Sequence, residues 1–285
     1  MKSPLQYFKL GDIELLSGAT LPDAFLAYTT SGVLNSEKDN VVLLPTFYTG
    51  NHIRNEDFFG PGRAIDPSRH FVISINMFGN GFSSSPSNSP APIYGPNFPE
   101  INLYDNIYCQ RRLLIEKFGI DRIKLVAGWS MAGCQSFHWA AQFPKFVDAI
   151  LPFCASSRTS IHNYVFLEGV KAALTADQNW LNGHYETPPV SGLKAFGRVY
   201  AGWAFSQTFF REEEYKKLGY KNIENLLVDW ENDHVNNWDP NDLLAKLYTW
   251  QSSDISASPS YNFNFIKALN SIKCRAILMP CSHDL

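Results

Sequence analysis

The chain has 285 residues, 45% of them hydrophobic, 14% aromatic and 18% charged. That balance excludes a disordered chain and predicts a globular protein with a sizeable core. Lys and Arg total 24 against 27 Asp and Glu, a net charge of −3, which argues against a broad basic surface for nucleic acid.

In chain order, short apolar runs alternate with helical patterns. Residues 24–30, 41–45 and 71–76 read as strands. Residues 83–99, rich in Ser and Pro, read as a long ordered loop. Leu103, Ile107, Leu114 and Phe118 form a helical stripe, with Asp105 as its start signal and Gly119 as its stop. Residues 123–127 read as a buried strand, 131–143 as a helix ended by Pro144, 147–154 as a strand and 276–280 as the last strand. This alternation predicts an α/β fold with a mostly parallel sheet and helices on both faces. Between 157 and 270 helical patterns dominate, at 162–176, 192–205, 212–218, 222–230 and 240–250. The expected organisation is a core over 1–156, a helical lid insertion over 157–270 and a late core strand over 271–285.

The chemistry centres on Gly128-Trp129-Ser130-Met131-Ala132-Gly133, which joins the strand at 123–127 to the helix at 131–143. Strand, sharp turn and helix are the context of a nucleophile elbow. There Ser130 would lift its hydroxyl above the sheet at a helix N-terminus, and the Met131 amide would be an oxyanion donor. The bland alternative is a serine N-cap on an ordinary crossover helix. A second oxyanion amide is expected from Thr46-Phe47-Tyr48-Thr49-Gly50, at Tyr48 or alternatively Phe47, against a plain strand-end turn. Asp284, just past the last strand, is the candidate acid or else a solvated turn residue.

The base is missing from this pattern. None of His52, His70, His138, His162, His184, His234 and His283 follows Asp284, whereas the order in this architecture is Ser, acid, His. His138 sits eight residues along the helix from Ser130, about 12 Å away at 1.5 Å per residue. One more strand and helix, roughly 40–60 residues, are expected after Asp284 to bring the catalytic histidine, so a truncated sequence is expected. Two further motifs fail. Phe78-Gly79-Asn80-Gly81 has Ser84 where a dinucleotide loop needs glycine. Asp229-Trp230-Glu231-Asn232-Asp233 has His234 where a calcium loop needs glycine, and reads as a solvated acidic turn. No metal site is expected.

Several separated motifs resemble the homoserine O-acetyltransferase-like family of the α/β-hydrolase fold, on its hydrolase-like branch. They are Asn97-Phe98-Pro99-Glu100-Ile101-Asn102-Leu103-Tyr104-Asp105-Asn106, then Gly128-Trp129-Ser130-Met131, and Asp239-Pro240-Asn241-Asp242-Leu243-Leu244. A looser stretch runs from Ala173 through Asp177, Trp180 and Tyr185 to Gly192-Leu193. The resemblance implies a serine nucleophile at Ser130, an acyl-enzyme, Asp284 as acid, oxyanion amides at Met131 and Tyr48, and a helical lid. It places Arg198 one residue from an arginine that binds the acceptor carboxylate. It puts Phe205 where a tyrosine is expected, which weakens the case for homoserine itself. The implied reaction is acyl transfer to an alcohol, with acetyl-CoA as donor substrate, or to water, as in an esterase. An inactive truncated form, or a binding or regulatory relative, is the alternative.

No bound cofactor is expected, and the expected partners are a small-molecule acyl donor and acceptor, with a homodimer through the lid as a candidate assembly. Cys109, Cys134, Cys154, Cys274 and Cys281 show no metal or redox spacing and suit reduced thiols. With no signal-peptide h-region and no run of roughly 20 apolar residues, a cytoplasmic, membrane-free protein is expected.

Overall fold

A computed structural model describes residues 3–282. Seven strands make one sheet: β1 (Gln6–Glu14), β2 (Thr20–Ser31), β3 (Val41–Pro45), β4 (Phe71–Ile75), β5 (Leu125–Trp129), β6 (Ala149–Phe153) and β7 (Arg275–Ala276). Their spatial order is β1-β2-β4-β3-β5-β6-β7. The pairs β1·β2 and β2·β4 are antiparallel, and every pair from β4 to β7 is parallel. Every residue of β3 and β4 is buried, as expected for central strands covered on both faces.

Eight α-helices accompany the strands among the described residues. They are α1 (Leu103–Phe118), α2 (Met131–Gln142), α3 (Ile161–Thr175), α4 (Val190–Ala204), α5 (Gln207–Arg211), α6 (Ile223–Asn237), α7 (Pro240–Gln251) and α8 (Phe265–Ser271). The last six lie between β6 and β7. The helix stripe at 103–118 is α1, yet its N-cap is Asn102. Asp105 is instead the third helical residue of a capping box, accepting from the Asn102 amide while its own amide donates to the Asn102 side chain. Gly119 closes the helix in the left-handed region at φ 62°.

Several elements differ from the sequence reading, among them the last strand, which spans Arg275–Ala276 in place of 276–280. The N-terminal residues form β1, whose interrupted register with β2 blurs the alternation that marks a strand. The segment 229–233 is no turn: it lies inside α6, which runs to Asn237. The helix expected at 212–218 is replaced, after α5 ends at Arg211, by turns around one short 3-10 helix at Glu214–Lys216. The Ser/Pro loop, by contrast, is ordered by hydrogen bonds. Ser83 donates its hydroxyl to the Asn76 carbonyl at 2.6 Å, and Ser83 and Ser84 accept from the Ala27 and Phe25 amides, each at 2.9 Å.

Candidate active site

Between β5 and α2 the chain turns on one residue. Ser130 has φ 53° and ψ −126°, a conformation that a side-chain-bearing residue adopts only under constraint. Its amide donates to the Phe153 carbonyl of β6 at 3.0 Å, and its own carbonyl accepts from the Cys134 amide at 3.0 Å. Its hydroxyl makes no hydrogen bond among the described residues and does not cap the helix. An N-cap serine has extended backbone and a bonded side chain, so the N-cap alternative does not describe Ser130.

The neighbours explain how so tight a turn closes. A Cβ on Gly128 would sit 2.5 Å from the Ala132 carbonyl carbon, and one on Gly133 would sit 2.5 Å from the Ala155 Cβ. Gly128, Ala132 and Gly133 are thus the small residues that let α2 lie against β5 and β6. Met131, the first residue of α2, has an amide with no intrahelical acceptor.

The loop after β3 lies beside this turn. Phe47 and Trp129 pack ring to ring at 5.2 Å. The amides of Phe47 and Tyr48 make no hydrogen bond among the described residues, whereas Gly50 donates back to the Phe47 carbonyl at 3.0 Å. Gln135 of α2 ties the loop to the helix by donating to the Thr46 carbonyl at 2.8 Å. Gln110 donates to Gln135 at 2.7 Å and accepts from the Trp139 indole at 3.0 Å, all fully buried. Phe47, Tyr48 and Met131 share one apolar cluster with Phe166, Leu167 and Phe196 of the helical insertion.

Arg198 lies on α4, paired with Glu231 and Glu224 of α6. Those two carboxylates raise its already high pKa. Phe205 ends α4 and stacks on Phe209 at 4.1 Å, with Trp230 edge-on at 5.8 Å. Asp284 and His283 lie outside the described residues. Of the other histidines, none hydrogen-bonds Ser130. His138 is buried beside the Ser253 hydroxyl, with burial pushing its imidazole down to about 4. His234 meets the Trp230 carbonyl at 2.8 Å, and His52 approaches Asn76. A polar cavity of about 390 Å³ adjoins the loop after β3, lined by Thr49, Arg54, Trp230 and Asp233 among others, and not by Ser130.

Residues that the sequence reading passed over also shape this region, above all Gln135 and Lys246. Lys246 left a trace, because it stands in the stripe Leu243, Leu247, Trp250 where an apolar residue is expected. Gln135 left none, since a glutamine on a helix is ordinary.

The comparisons agree with this architecture. Residues 39–269 match the α/β hydrolase fold family model. A relative named ethyl acetate hydrolase, from Pseudomonas veronii, is 34% identical over 99% of this chain and 81% of its own. A homoserine O-acetyltransferase from Trichormus variabilis is 31% identical over 95% of this chain and 78% of its own. The solved structure of an acetylester hydrolase from Corynebacterium glutamicum superposes with a TM-score of 0.94 at 32% identity, covering 98% of this chain and 81% of that one. Fold and relatives together place the chain in the α/β-hydrolase fold family, in the homoserine O-acetyltransferase-like group that also holds esterases.

Proposed function

We propose that the protein is a serine-dependent acyl-transfer enzyme whose principal reaction is hydrolysis of short acyl esters, acetyl esters first. The observation that carries this is the strained Ser130 turn, with an unbonded hydroxyl beside three unbonded amides. In this reading Ser130 Oγ attacks the ester carbonyl carbon and passes its proton to a general base. The oxyanion rests on the Met131 and Tyr48 amides. The alcohol leaves with the proton, and water then attacks the acyl-enzyme and returns Ser130. Asp284, which falls outside the described residues, would orient that base. The insertion over 157–270 acts as a lid, its Phe166, Leu167 and Phe196 packed in one apolar cluster with Met131. Water is favoured as acceptor for two reasons. Relatives named as ester hydrolases match along almost the whole chain, and Arg198 is already held by two carboxylates rather than left for an acceptor's.

Steady-state hydrolysis of p-nitrophenyl acetate, alongside acetyl-CoA with homoserine or a simple alcohol, tests the reading. Ester hydrolysis at least a hundredfold faster than alcohol acetylation is expected, with a thousandfold or greater loss of kcat in Ser130→Ala. Undiminished turnover in Ser130→Ala would overturn it.

A further inference from the structure

Lys246 of α7 is fully buried, an unusual place for an ammonium. Its Nζ donates to the Tyr48 carbonyl at 2.6 Å and lies 3.8 Å above the Trp238 ring. The same helix holds the other end of Tyr48, whose phenol donates to the Leu243 carbonyl at 2.9 Å. So α7 grips one loop residue at its backbone carbonyl and at its side chain. On its other flank the loop is gripped by Gln135, through Thr46.

We propose that Lys246 is a positioning residue for the loop at 46–50, its charged ammonium holding the Tyr48 peptide where the neighbouring amide faces Ser130. The proposal rests on the acyl-transfer reading for its catalytic consequence but not for its structural one. A single buried cation reaching a backbone carbonyl fixes that peptide more firmly than a neutral donor does, because charge-assisted hydrogen bonds are roughly twice as strong. The charged and titratable groups that face it are Asp242 on α7, Arg54 after β3, and Asp233 and His234 on α6, together with the Tyr48 phenol. Asp242 also accepts from Ser87, from its amide at 2.9 Å and from its hydroxyl at 2.6 Å. Burial lowers the Lys246 pKa, while Asp242 opposes that shift.

Hydrogen exchange of amides 46–50, read with steady-state ester hydrolysis, tests the assignment. Lys246→Met is expected to speed exchange in 46–50 at least tenfold and leave β4 unchanged. It should lower kcat tenfold or more with KM within twofold, and Lys246→Arg should recover much of both. In the unaltered protein, protection of 46–50 should fall relative to β4 as pH rises from 6 to 10 and the ammonium is lost, a measurement that needs no folded variant. Exchange and kcat within twofold of the unaltered protein in Lys246→Met would overturn the proposal. So would parallel pH responses of 46–50 and β4. If Ser130→Ala turns over normally, the acyl-transfer reading falls, while exchange at 46–50 still decides the role of Lys246.

Discussion

At Ser130 the tight turn between β5 and α2 holds the backbone at φ 53°. A residue held in such a region typically costs about 1–3 kcal/mol. Ser130→Gly should therefore be more stable than Ser130→Ala by about 1 kcal/mol in urea unfolding, with neither variant hydrolysing esters. Gly128→Ala works the other way. Its new Cβ would meet the Ala132 backbone at 2.5 Å, where neither partner has a flexible end to swing aside. A loss of about 1–3 kcal/mol is expected, measured by the same unfolding. The sequence made this corner legible because small residues flank a serine between an apolar strand and a helix. It left open whether Ser130 capped the helix, because an N-cap has the same residue type. Only the dihedral angles and the unbonded hydroxyl separate the two.

The elements carry the site by their ends. The end of β3 leads into the loop at 46–50, β5 ends at the Ser130 turn, and α2 begins there. Helix α1 buttresses α2 through Gln110, and its start is secured by the Asn102 capping box. Asn102→Ala removes the acceptor for the Asp105 amide at 3.1 Å, and a loss of about 1 kcal/mol is expected in thermal or urea unfolding. Apolar stripes and runs located most of these elements. They failed for β1, where bulges break the alternation, and for 212–218, where charged residues imitate a helix that the chain does not form. They also set the end of α6 too early, because its polar C-terminal half lacks an apolar stripe.

Across the whole molecule, polar contacts join the sheet to the helical insertion. Lys246 and Tyr48 link α7 to the β3 loop, Arg54 pairs with Asp233 of α6 at 2.7 Å, and His138 of α2 meets Ser253 beyond α7. His138 makes the fold sensitive to acid. Burial depresses its pKa from 6.5 to about 4, so the unfolded chain takes up a proton before the folded one does. Its neutral form then supports full stability above pH 6.5, and that support is lost as pH falls toward 4. The slope is about 1.4 kcal/mol per pH unit, roughly 3 kcal/mol in all. Urea midpoints measured from pH 7.5 to 4.5 should fall less steeply in His138→Gln than in the unaltered protein.

What the sequence determined by itself is local in origin. Apolar runs and stripes specified a parallel α/β sheet, and the residues around Ser130 specified a tight turn between strand and helix. Spacing along the chain reports which residues share a face, so these features needed no long-range information. The tertiary structure decided which distant residues meet. It set Gln135 against Thr46, Lys246 against Tyr48 across 198 positions of chain, and Arg198 between two glutamates. A buried lysine or glutamine is acceptable only where a partner waits, and that partner is chosen by how helices pack over the sheet. Nothing in a residue's immediate neighbours encodes it.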